Sequence, residues 1–349
     1  MKKTMNSIGW KYGLMGVVYI AVQLGLEFLI SLLFPEFYEK NAVYVALAMV
    51  VVAVDLIGFP LVFLLTKNMP KAEMENEKMT FGKFLLCILM MYGLTLIGII
   101  VGQCLHLPLT LPFEDIESAN KLLELMLGSN FFVRVLIVGI LAPIFEELIF
   151  RKVLIDHVSV NGYLPAILVS GIMFGLFHGN FSQAGFATLI GCLFAFIYVK
   201  TGKVIYTIIL HMIMNCGTSI VTLGLYEWML DSAAKFSLDA NNPDADVLMN
   251  AVMDYDPNAL SFMAATSLVM LWMGFLFTMA IAGLIVLIVL AVKKKLRITR
   301  KEGEESVKNQ IASLFASAMW FFYVICVVLF LFNYLPPIVK FIITMVKNS

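Results

Sequence analysis

The stretch Pro143–Leu154, PIFEELIFRKVL, decides how this sequence folds. It continues an apolar run, yet Glu146, Glu147 and Arg151 stand inside it. An ionised side chain at the centre of a bilayer costs about 2.5–3.5 kcal/mol on insertion scales, so such residues persist where they are paired or used. Glu147 and Arg151 are four apart, which on a helix places them on one face and favours a partly buried ion pair. Glu146 then points about 100° away and is left for another task.

The rest of the chain confirms a membrane setting. Of 349 residues, 61% are hydrophobic and 14% charged, where a soluble domain carries about 25% charged residues. Several runs reach the roughly 20 apolar residues that cross a bilayer. The expected fold is therefore all-α, a polytopic integral membrane protein of about eight to nine transmembrane helices. The periodicity predicts helices near 10–33, 43–66, 82–104, 131–157, 163–179, 183–200, 204–224, 262–292 and 312–334. The first run, after Lys2 and Lys3, is too long for a signal-peptide core and lacks a small-residue cleavage site, so it reads as a retained span. Zero net charge gives no case for nucleic acid. The five cysteines form no C-x-x-C pair and read as packing residues.

Lysines and arginines alternate with acidic loops along the chain. Lys67, Lys71, Lys78 and Lys83, then Arg151 and Lys152, Lys200 and Lys203, and KKKLRITRK from Lys293 fall on one side. Glu114, Asp115, Glu117 and Glu124, and the acidic stretch Glu227 to Asp256, fall on the other. The positive-inside bias then puts the N-terminus in the cytoplasm, and the short loops and abundant methionine point to a bacterial plasma membrane. KKKLRITRK reads as an anchor to anionic lipid. The organisation expected is N-terminal helices and an acidic outer loop (1–130), a polar-bearing core (131–224), an acidic extracytoplasmic loop (225–260) turning at Asn241, Asn242 and Pro243, and C-terminal helices (261–349). Lys340 and Lys347 in the tail oppose this topology unless the Pro336–Pro337 pair breaks the helix and lays the tail in the interface.

Scanning the spans for ionisable residues returns Glu27, Asp55, Glu146, Glu147, Arg151, His178 and His211, with Asn215 as a polar amide. Glu27 and Asp55 look isolated and most simply hydrogen-bond a neighbouring helix. Phe174 and His178 are four apart, as are His211 and Asn215, so each pair shares a face. Around the turn VNGYLP (Val160 to Pro165), Glu146 and His178 lie at similar sequence distances, so antiparallel helices bring them level. Taking the surface near Lys152, Glu146 is roughly 10 Å deep and His211, measured from Lys203, roughly 12 Å deep. Three segments thus converge at one level, which fits either a catalytic or ion-binding site or a structural network. His157 reads as solvated in the turn, and His106 as interfacial at the opposite edge.

These motifs resemble a known family. EELIFR fits E-E-x-x-x-R, FGLFH fits F-x-x-x-H and HMIMN fits H-x-x-x-N. In that order, on successive membrane helices, they are similar to the CPBP (CAAX protease and bacteriocin-processing, or Abi) intramembrane proteases, which include type II CAAX prenyl endopeptidases. The resemblance covers Leu141 to about Gly217 and implies an endopeptidase with Glu146, His178, His211 and Asn215 at its active site. Under that reading Glu146 is general base, His178 positions water, Asn215 donates to the oxyanion, and Glu147, Arg151 and Phe174 are supports. Glu146, His178 and His211 also make a His₂Glu set of catalytic-zinc type, so a zinc-dependent and a metal-free, glutamate-dependent mechanism both stay open. No H-E-x-x-H helix is present.

The implied substrate is a membrane-associated peptide or protein: a CAAX-like terminus, a pheromone or a bacteriocin precursor. Two other classes compete. A non-catalytic bacteriocin-immunity or scaffold protein would have no need of all three motifs. A secondary transporter would show two related halves with broken helices, and only one proline-interrupted segment, at Pro143, is present.

Overall fold

The computed structural model describes residues 1–110, 127, 129–235, 245–300 and 303–348, and these are mostly helical, with no strand among them. Glu114, Asp115, Glu117 and Glu124, and the turn at Asn241 to Pro243, lie outside the described residues. The helices are α1 (Lys2–Leu33), α2 (Pro35–Thr66), α3 (Phe81–Thr110), α4 (131–158), α5 (Tyr163–Phe177), α6 (Phe181–Thr201), α7 (Val204–Lys235), α8 (Ala245–Met253), α9 (Pro257–Val292), α10 (Val307–Ser313) and α11 (Met319–Asn348). Among the described residues six, namely α1, α2, α3, α6, α7 and α9, are long and apolar enough to cross a membrane. Helix α5 and the Met319–Leu335 part of α11 are apolar but shorter. The polytopic all-α fold read from hydropathy is what the structure shows.

Within the expected 225–260 loop, α7 runs on to Lys235 and α8 spans Ala245–Met253. One expectation is corrected. The Pro336–Pro337 pair does not break the tail, because α11 continues to Asn348. A membrane helix tolerates proline where neighbouring groups take up the freed backbone.

Helix α6 is the central post, packing along both α3 and α5, while α1 packs on α2 and α11. Small residues allow the close approach: a methyl at Gly185 would overlap the Gly98 carbonyl of α3, and one at Gly171 would overlap Cys192 of α6. The α5–α6 corner is made by Gly179 at φ +68°, followed by Asn180, whose side chain accepts from the Gln183 N–H at 2.8 Å and caps α6. That corner fixes His178 at the end of α5.

Helix α4 is not a regular α-helix. It begins at Asn130, which caps it through the Phe132 N–H, and contains two wide π-type segments, Val135–Leu141 and Leu148–Val153. Such turns misalign carbonyls, which must then find other donors. Tyr12 of α1 donates to the Ile149 carbonyl at 2.7 Å and Ser170 of α5 to the Phe150 carbonyl at 2.7 Å. In the other segment Asn215 of α7 donates to the Val138 carbonyl at 2.8 Å. Glu146 and Glu147 sit on the short regular piece between the two, Ala142–Glu147.

Candidate active site

Glu147 and Arg151 form the ion pair expected from their spacing, with Nε 3.1 Å from Oε2 and both side chains fully buried. The guanidinium also lies over two rings, 4.3 Å from the centre of Phe174 and 5.5 Å from that of Phe194. Its two terminal nitrogens have no hydrogen-bond partner among the described residues. The rings add cation–π stabilisation to the buried cation. The other oxygen of Glu147 meets Nδ1 of His211 at 3.0 Å.

His211 thereby links both carboxylates. A carboxylate only accepts, so Nδ1 carries the proton and donates to Glu147, which leaves the lone pair of a neutral ring on Nε2. That nitrogen faces Oε2 of Glu146 at 3.7 Å. Glu146 differs from its neighbour in being accessible: its side chain is 25% exposed, against none for Glu147. The two adjacent glutamates thus have separate environments, one locked by a cation and one open.

His178 has the same polarity. Its Nδ1 lies 2.9 Å from the Phe174 carbonyl, so it donates there and turns Nε2 outward. Phe174 holds both imidazoles, its ring centre 5.0 Å from His178 and 5.7 Å from His211, edge to face in each case. Of the residues picked from sequence, Glu146, Glu147, Arg151, Phe174 and His211 form one connected cluster and His178 joins it through Phe174. Asn215 lies one turn beyond His211, but its amide serves Val138 of α4, leaving one N–H and the oxygen for anything else.

A zinc ion is the cofactor the family resemblance raises. The outward Nε2 atoms of His178 and His211, each backed by an Nδ1–H bond, have the chemistry of metal ligands. The geometry does not follow: among the described residues no three His, Cys, Asp or Glu side chains converge to hold a metal ion.

Several participants were not read from the sequence. Arg134, in FFVRVL near the start of α4, makes a two-pronged pair with Glu227 of α7 at 2.7 and 2.6 Å. The same search for charges in apolar runs could have found it. Tyr12 and Ser170 carried no signal, since a tyrosine or serine in an apolar run is ordinary. Glu27 is bonded to Tyr38 of the next helix at 2.8 Å, as expected of a structural carboxylate. His157 corrects its reading as solvated: it is 2% exposed, with Nδ1 2.9 Å from the Pro70 carbonyl of the α2–α3 strap. His106 is likewise buried, with Nδ1 2.8 Å from the Tyr334 hydroxyl.

Residues 128–217 match a known family model. Its description is Type II CAAX prenyl endopeptidase Rce1-like, and the matched segment contains every residue of the cluster just described. Two bacterial proteins are also similar. A Bacillus subtilis protein named as a membrane peptidase, YdiL, is 24% identical over 164 residues, 46% of this chain and 66% of YdiL. The Membrane-embedded CAAX protease MroQ of Staphylococcus aureus is 26% identical over 219 residues, 59% of this chain and 86% of MroQ. The chain thus spans just under two thirds of YdiL. No solved structure matches. The family resemblance read from the three motifs is what these comparisons find.

Proposed function

We propose that this protein is an intramembrane endopeptidase and that Glu146 activates the attacking water. The observation that carries the reading is the inequality of the two glutamates. Glu147 is committed to Arg151 and to His211, whereas Glu146 is open and faces an imidazole lone pair across 3.7 Å. A water held between Glu146 and Nε2 of His211 would give up a proton to the carboxylate as its oxygen attacks the peptide carbonyl. Glu146 would return that proton to the amide nitrogen as the C–N bond breaks, releasing an amine and a carboxylic acid. In this reading the free N–H of Asn215 donates to the developing oxyanion and His178 helps position the water. The similarity to a family described as CAAX prenyl endopeptidases, and to a relative named as a CAAX protease, supports a membrane-associated peptide or protein substrate.

The lysine-bearing ends of the site helices support a cytoplasmic site in a bacterial plasma membrane, with the N-terminus inside. The test compares peptide termini in membranes of cells carrying the parent protein or Glu146→Gln at equal level. New C-termini found only with the parent are expected, and their sequences identify the substrate. Identical termini, with the variant folded and inserted, would sink the protease reading in favour of a binding or immunity role.

A further inference from the structure

Asp55 is the polar residue in the membrane that nothing above uses. It sits in a wide π-type segment of α2, Val51–Gly58, and is 4% exposed. No hydrogen bond or ion pair reaches it from the described residues. Glu27, the other carboxylate that looked isolated, has its tyrosine; Asp55 has none. The segment that carries it packs against Ala142–Glu147 of α4, and one turn further on Phe59 meets Phe145 edge to face at 5.7 Å. Tyr19 of α1 is a second polar side chain beside these elements. The Tyr19 ring rests on Phe177, next to His178, at 5.3 Å, and its hydroxyl has no partner among the described residues. Two polar groups without a hydrogen-bond partner among the described residues, from two helices outside the matched segment 128–217, thus border the elements that carry Glu146 and His178.

A peptide can be cut only when extended, and an extended backbone at membrane depth exposes N–H and C=O groups that must find partners. Helical walls offer none, since their own backbone groups are bonded internally. Unpartnered side chains are what remains. We propose that Asp55 and Tyr19 position the substrate: the Asp55 carboxyl group accepts a hydrogen bond from a substrate N–H, and the Tyr19 hydroxyl donates to a substrate carbonyl. This rests on the protease reading and extends it, making α1 and α2 part of the substrate site. Asp55 sits in the wide turn of α2 that packs on α4, in keeping with the frequent placement of such turns at functional sites.

The test uses the full chain in lipid nanodiscs and a pool of internally quenched peptides ending in a farnesylated CAAX sequence. A benzophenone-bearing copy of the pool is crosslinked to protein carrying Glu146→Gln, so that binding is read without cleavage. Adding Asp55→Leu is expected to cut crosslinking about tenfold or more, while Asp55→Asn, which still accepts, loses roughly threefold or less. Thermal unfolding should not change with either. In the cleaving protein, Tyr19→Phe should raise KM severalfold and leave kcat alone. Equal crosslinking with and without Asp55→Leu overturns the proposal, as does a loss with Asp55→Asn as large as with Asp55→Leu, or no crosslinking to the Glu146→Gln protein at all. Should Asp55→Leu fail to fold, Asp55→Asn and Tyr19→Phe decide. Cleavage by Glu146→Gln as fast as by the parent sinks the protease reading instead, while the crosslinking still reports on Asp55.

Discussion

Nδ1 of His211 lies 3.0 Å from Oε1 of Glu147, a carboxylate whose other oxygen is 3.1 Å from Nε of Arg151. The link joins α7 to α4 through three fully or nearly buried side chains. It fixes the ring orientation and the tautomer of His211, and so aims Nε2 at Glu146. Glu147 acts on the site through His211, as a positioning residue.

Replacing Glu147 by Gln should therefore damage the fold as well as activity. It leaves Arg151 charged, buried and without its counter-ion, and breaking one half of a buried pair costs about 3–5 kcal/mol. Glu146→Gln removes an open carboxylate and should hardly change stability. Thermal unfolding of both variants in the same lipid is the check: equal melting temperatures would contradict the separation of roles.

Phe174 contacts three side chains with one ring: Arg151 over its face, and His178 and His211 in edge-to-face pairs. Phe174→Ala opens a cavity in a nearly closed core, and the cost expected is about 3–5 kcal/mol. Phe174→Leu restores most of the volume but not the cation–π contact, worth roughly 2 kcal/mol or more when desolvated. The Leu variant should be the more stable of the two, yet still less active than the parent. Paired melting and turnover measurements would show it, and full activity in Phe174→Leu would count against a positioning role.

Sequence spacing made the Glu147–Arg151 pair and the approach of Glu146 to His211 legible, because both follow from helix geometry within or between segments. The second role of Asn215 was not legible. It depends on a carbonyl 77 residues away that is free because α4 widens there, and no local pattern predicted the widening. His157 was misread for a related reason: the strap between α2 and α3 folds across it, with the Ala72 N–H on the Asp156 carbonyl at 2.7 Å. Asp55 was visible as an anomaly, but only packing shows that its turn of α2 lies against Ala142–Glu147.

Asn215 offers a direct test of that second role. Asn215→Ala leaves the Val138 carbonyl without its donor inside the protein, a loss of about 1–3 kcal/mol. A residue serving only the oxyanion would lose activity at unchanged stability. The expected result is that melting temperature and turnover both fall, with hydrogen exchange rising in 135–141.

His157 should make stability depend on pH. It lies past Lys152, beyond the spanning part of α4, and burial lowers its pKa, as does the charge of Lys71. The folded protein therefore binds a proton there less readily than the unfolded chain, whose histidine titrates near 6.5. Stability from this group is complete above about 6.5 and declines as pH falls below it, because protonation favours the unfolded state. Melting temperatures measured from pH 8 to about pH 5 should fall on the acid side. His157→Asn, whose amide can still donate to the Pro70 carbonyl, should flatten that acid limb while leaving the neutral-pH value near that of the parent. An unchanged acid limb in the variant would assign the pH dependence to other groups and leave the strap contact without a titrating role.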